Sequence, residues 1–153
     1  GLNRQDPGYT LDVAGQVNAS GLLVNGANIS PVAANACIGF VIDGGGSVIT
    51  TGTTAGNKGF IEVPFNCTIN NVTVLLDQTG SINVEIWKDT YANFPPVAAD
   101  TINASGFVVS SAVKGQGTAI TTTTITAGDI LAYNVATVST ATRITISLKV
   151  TKT

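Results

Sequence analysis

The final segment, ATRITISLKVTKT (Ala141–Thr153), alternates without interruption. Ile144, Ile146, Leu148 and Val150 fall on one side, and Arg143, Thr145, Ser147 and Lys149 on the other. Successive side chains of a strand point to opposite faces, so the pattern fits a strand with one buried and one wetted face. A single strand cannot cover its own apolar side, so this one demands a sheet and a second layer to pack against. As the last segment it is expected to close the sheet. Its polar side is then a solvated edge or a contact surface for a partner subunit.

The same period recurs upstream. Ala36–Asp43 places Ile38, Phe40 and Ile42 on one face, and Phe60–Phe65 does so with Ile61, Val63 and Phe65, Pro64 marking the strand's end. Cys67–Asp77 aligns Val72, Val74 and Leu76. Ser81–Lys88 aligns Ile82, Val84 and Ile86, with Asn83, Glu85 and Trp87 facing out. Between these two, Asp77-Gln78-Thr79-Gly80 predicts a hairpin turn. Ser47–Thr54, Gly106–Val113, Ala119–Thr126 and Ile130–Val135 are the remaining predicted strands. Turns are predicted at Asp43–Gly46, Ala55–Gly59, Lys114–Gly117 and Ala127–Asp129, with Ala136–Thr140 as the last loop. Asp89–Ser105, with Tyr91, Phe94 and Pro95-Pro96, reads as a long loop holding a helical turn near Val97–Asp100. The expected fold is all-β: an antiparallel β-sandwich, with a jelly roll of two Greek keys as the preferred topology.

Residues 1–34 follow no such period. Tyr9–Val13 and Leu22–Val24 are short apolar pieces set between Gly15, Gly21 and Gly26, too short to bury themselves. They predict an extended segment that lies on the domain or is ordered by neighbouring copies. Pro31–Asn35 reads as the linker, giving domains 1–34 and 35–153.

Composition narrows the function. Charged residues make up 10% of the 153, against roughly 25% in ordinary soluble domains, and Thr, Ser, Asn and Gly take their place. Such a surface is associated with extracellular and virion proteins. Net charge is −2 and the seven Lys and Arg are scattered, which argues against nucleic-acid binding. No apolar run nears the ~18 residues of a membrane span, and no charged-then-apolar leader pattern is visible. The absence of methionine points to a processed product or a fragment.

Histidine is absent, so no Ser-His or Cys-His nucleophile can form. Cys37 and Cys67 alone cannot bind zinc; they are either free core thiols or a disulfide, if their strands are neighbours. A glycosidase pair could come only from Asp43, Glu62, Asp77, Glu85, Asp89, Asp100 and Asp129. Most of these sit at turns, where aspartate caps amides, and Glu62 and Glu85 sit on wetted strand faces. Calcium would have to use Asp43, Asp89 or Asp100, without the spacing of a calcium loop. No enzyme activity, cofactor or metal is expected.

Two stretches carry family resemblances. PGYTLDVAGQVNASG (residues 7–21) resembles a repeat of bacteriophage tail-fibre and tail-spike proteins, in which three chains wind together. Gly1-Leu2-Asn3-Arg4 departs from the Gly-Ile-Gly-Thr that usually opens it. The resemblance implies a homotrimer with Leu11, Val13 and Val17 on its axis, and Leu22 and Val24 extend the contact. Residues 36–153 resemble a module at the ends of phage structural proteins. The matching blocks are CIGFVIDGGGSVITTG, KGFIEVPFNCTINNVTVLLDQTGSINVEIWKDTY, TTITAGDILAYNV and ATRITISLKVTK. Together they imply a virion protein without fixing one role on the virion; its expected partners are other virion proteins and a host-surface glycan. The expected function is a trimeric tail-fibre or tail-spike component presenting a β-sandwich for host attachment. The alternative is a decoration or cement protein that stabilises the head. The residues expected to bind glycan are Trp87, Tyr91, Asn93 and Phe94, since sugar sites combine exposed aromatic rings with amide and carboxylate groups; the competing reading has Trp87 packed under the loop or against a neighbouring subunit.

Overall fold

The computed structural model describes residues 22–24, 27–29, 34–51 and 57–153. The chain divides into two compact units, Gly1–Val32 and Ala33–Thr153. In the first, β1 (Leu22–Val24) pairs antiparallel with β2 (Ala27–Ile29), Leu22 opposite Ile29. The trimer contacts expected at Leu11, Val13 and Val17 lie outside the described residues, as do the side chains of Leu22 and Val24.

The second unit is built from β3 (Asn35–Asp43), β4 (Asn57–Glu62), β5 (Cys67–Asp89), β6 (Phe107–Gly117), β7 (Thr124–Ile125), β8 (Ile130–Val138) and β9 (Arg143–Lys152). Every pairing among them is antiparallel. They form one seven-stranded sheet along the path β3-β9-β5-β8-β4, with β6 and β7 on the opposite edge of β5. The all-β antiparallel class is therefore as expected. The sheet curls into a half-barrel, so the two layers of the sandwich come from one continuous sheet. Phe40 of β3 and Tyr133 of β8 make this visible. Two strands separate theirs along the sheet, yet the rings stack at 4.3 Å with 3° between planes. Inside the curl the predicted apolar rows meet: Ile38 and Ile42, Val72, Val74 and Leu76, Ile82, Val84 and Ile86, and Ile144 to Val150 are all buried.

β5 overturns the predicted hairpin. It is a single strand of 23 residues running straight through Asp77–Gly80. Its first part pairs with β9, Val74 opposite Ile146, and its last part with β8, Ile86 opposite Tyr133. The polar residues at its middle bind the β8–β9 connection instead of turning the chain. Thr142 N–H donates to Asp77 Oδ1 (3.1 Å), the Thr140 hydroxyl to Thr79 O (2.9 Å), and Ser139 N–H to Ser81 O (2.9 Å). Glycine stands at position 80 because the Thr140 side chain of that connection lies directly against it. A Cβ there would lie 2.2 Å from Thr140 Oγ1. On the opposite edge β6 follows β5 past the same point through a bulge, where Ser111 has a left-handed φ of 47° and takes a hydrogen bond from its N–H to Ser81 Oγ (3.0 Å).

Other expectations shift with it. Lys114–Gly117 is not a turn but the end of β6, paired with Val72–Leu75. β9 does not border the sheet. β3, far earlier in the chain, adds along its whole outer side, so the path ends at β3 and β4. Residues 47–51 form no strand; Ile49 N–H instead donates to Ala141 O (3.1 Å). Residues 52–54 lie outside the described residues. Asn57–Gly59 opens β4 rather than a turn, and within Ala119–Thr126 only Thr124–Ile125 is strand. Cys37 is exposed, Cys67 is buried, and both are free thiols.

Ile146→Ala is expected to destabilise the domain by about 2–4 kcal/mol, because the cavity forms inside the curl. Thr145→Ala, on the wetted face of the same strand, should cost less than about 1 kcal/mol. Urea unfolding of both measures the difference. Gly80→Ala should cost roughly 1–3 kcal/mol in the same assay, through overpacking against Thr140; a neutral effect would contradict the close contact.

Candidate functional site

β4, β8 and the last part of β5 lie side by side, and their register aligns two rows across one sheet face. Phe60 and Trp87 both stand opposite Ala132, and Glu62 and Asp89 both stand opposite Ile130. The small Ala132 leaves room between the two large rings.

The segment after β5 folds back over this face. Single 3-10 turns form at Tyr91–Asn93 and Ala98–Asp100. Asp89 Oδ1 anchors the first, accepting the Thr90 N–H (2.7 Å) and the Asn93 amide (3.1 Å). Asp100 Oδ2 accepts the Val97 N–H (2.8 Å) and holds the second. The chain is then tied to β5, with Thr101 bridging to Trp87 and Ile102 N–H donating to Ile86 O (2.9 Å).

This roof places Trp87 under the loop, the second of its two expected positions. The ring is only 4% exposed, and with Phe60 and Pro95–Ala98 it lines a recess of about 320 Å³. Trp87 is thus a floor under the loop and not an open stacking surface. Its Nε1–H has no hydrogen-bond partner among the described residues. Asn93 is spent on clipping the loop to Asp89. Tyr91 and Phe94 do stand at the surface, 76% and 51% exposed.

They are joined by two residues that sequence reasoning did not place there. Phe60, 41% exposed, meets Phe94 edge to face at 4.8 Å and 64°. Glu62 lies one register step along the same strand face. Phe60, Glu62, Tyr91, Phe94 and Ile130 line an open cleft of about 450 Å³. The only signal for Phe60 and Glu62 was their shared phase opposite Ile61; what brings them beside Tyr91 is the pairing of β4 with β8.

The Ala127–Asp129 corner sets this end of β8. Gly128 adopts φ 93°, and its N–H donates to Val63 O (2.8 Å). Asp129 Oδ2 accepts the Thr126 N–H and the Lys88 ammonium, each at 2.9 Å. The expected turn aspartate therefore also neutralises the nearest cation in register. The aspartates raised as calcium ligands, Asp43, Asp89 and Asp100, each cap a backbone amide, Asp43 Oδ1 taking the Gly45 N–H at 2.8 Å. Among the described residues no group of three or more His, Cys, Asp or Glu is placed to hold a metal ion.

The polar face of β9 forms a second exposed area. Val41 and Leu75 flank Thr145 in register, and both are exposed. Around them the polar groups pair with one another: Arg143 with Asp43 (3.0 Å), Ser147 Oγ with Cys37 Sγ (3.0 Å), and the Gln116 amide with Thr73 Oγ1 (3.0 Å).

No family model matches this chain, no curated protein matches it, and no solved structure does.

Three surface carboxyls lie below their ordinary value of 3.8. The Gly45 amide and then Arg143 lower Asp43, the Thr142 hydroxyl lowers Asp77, and the Thr90 amide and then Asn93 lower Asp89. A carboxyl depressed in the folded state stabilises the fold above its unfolded value and loses that contribution as pH falls through the folded one. The thermal midpoint should therefore hold down to about pH 5 and drop below about pH 4. Asp77→Asn should flatten the drop; equal midpoints for the wild type at about pH 5 and pH 2.5 would contradict the assignment.

Proposed function

We propose that the chain is a bacteriophage structural protein, a trimeric fibre or spike component that presents its β-domain at the virion surface for host attachment. The observation that carries the attachment role is the cleft: three exposed aromatic rings, Phe60, Tyr91 and Phe94, gathered around Glu62 on one sheet edge. Sugar rings stack on aromatic faces while their hydroxyls bond to neighbouring carboxylates and amides. An open cleft of this kind binds weakly by itself, and three copies on one particle raise avidity without new contacts. The virion assignment and the trimer rest on the sequence resemblances of residues 7–21 and 36–153.

A second reading, a decoration or cement protein on the head, is favoured by the other exposed area. Val41 and Leu75 beside Thr145 offer apolar contact set among polar groups already paired within the face, which suits docking against a neighbouring subunit.

Labelled chain should bind the host-cell surface, and Tyr91→Ala should reduce that binding about tenfold or more, the scale of a lost aromatic anchor. Mass measurement in solution should return a trimer, and a clean monomer would sink the fibre reading. Unchanged cell binding in Tyr91→Ala, together with loss of capsid binding in Val41→Lys, would favour the cement reading.

A further inference from the structure

We infer that the cleft selects a saccharide carrying a cationic ammonium group, either an unacetylated amino sugar or a choline-type substituent, over neutral and acidic ones. This rests on the saccharide-binding reading above and specifies the ligand of that site.

The first observation concerns Glu62. It is exposed and has no hydrogen-bond or ion-pair partner among the described residues. Every other described acidic side chain is engaged. Asp43 holds Arg143, Asp77 holds Thr142, Glu85 holds Asn134, Asp100 caps Val97, and Asp129 holds Lys88. Asp89 takes the Thr90 and Asn93 donors. In a chain so sparing of charge, the single spare acidic side chain among the described residues stands in the aromatic cleft.

The second observation is the sign of everything around it. Phe60, Tyr91 and Phe94 line the cleft, and aromatic ring faces carry negative potential and attract cations. Asp89 shares the register row of Glu62 across Ile130. No Lys or Arg is among the described residues that line the cleft. Lys88, the neighbour of Asp89, is occupied by Asp129 at 2.9 Å. An acidic sugar entering here meets like charge without a compensating cation. A neutral sugar stacks and offers hydroxyls. An ammonium adds both a charge-assisted bond to Glu62 and attraction to the rings.

The test compares two oligosaccharides of equal length, a glucosamine oligomer and its N-acetylated counterpart, titrated calorimetrically into the full chain. They share a backbone and differ in the amine. The wild type should bind the amine form about three- to tenfold more tightly, the range for one exposed ion pair with cation–π support. Added salt should shrink the difference. Glu62→Gln, an exposed and nearly isosteric change, should equalise the two by weakening the amine form more than the N-acetylated one. Choline chloride as competitor separates the sources: displacement at lower concentration than glucosamine assigns a choline-type group, the reverse an amino sugar. Equal wild-type affinities that Tyr91→Ala abolishes would overturn the charge selection and leave the saccharide platform standing. A preference for polygalacturonate would do the same. An amine preference that survives in Glu62→Gln would also overturn it. If neither oligomer binds, the inference fails, and the host-surface assay decides separately whether the attachment reading fails with it.

Discussion

The domain is organised by β5 running unbroken past Gly80. Because this strand does not turn back, it serves both layers, bonded to β9 along its first part and to β8 along its last. β8 and β9 both lie on the edge of β5 opposite β6, so their connection runs alongside Asp77–Ser81, and only a residue without a side chain lets Thr140 approach so closely. The sheet bends along the line marked by Gly80, the bulge at Ser111 and the 139–142 connection. Residues from both halves turn inward at that bend, and the apolar rows close on one another. Without the through-strand there would be two small sheets, each with one uncovered face.

The cleft inherits its geometry from the same arrangement. The end of β5 carries Trp87 at a register position level with Phe60, and Ala132 separates them. The loop that leaves β5 has no regular partner of its own. It is secured by short side-chain bonds from Asp89 and Asp100 and by two backbone ties to β5. Its Pro95–Ala98 stretch covers the indole, while Tyr91 and Phe94 are left proud of the surface. Burial of Trp87 and exposure of its neighbours are thus one event: the loop spends its prolines on the roof and its other rings on the rim.

Sparse charge makes the placement of each charged group informative. The described aspartates nearly all do local structural work, capping turns or bracing connections. Such groups hold loops in place at little cost, since the amides they accept from would otherwise lack partners. Glu62 does none of this, and a residue that supports no local structure is the natural place for an external contact.

The sequence by itself determined most of the strands and their inward faces. The alternation in Ile144–Val150, in Val72–Leu76 and in Ile82–Ile86 survives intact, because a period of two is a local property of the backbone. It also marked the Asp43–Gly46 turn and the Ala127–Asp129 corner, whose aspartates bind amides two or three residues away, and it singled out Tyr91 and Phe94. What it could not determine was where strands end and which lie together. Asp77–Gly80 has the composition of a turn, yet its polar groups find partners in residues 139–142, some sixty positions on. Lys114–Gly117 is drawn into strand in the same way, by β5. Only the tertiary pairing of β4 with β8 brought Phe60 and Glu62 to the loop, and only the folded loop turned Trp87 from rim to floor. Local periodicity sets which way a side chain points; long-range pairing sets what it meets.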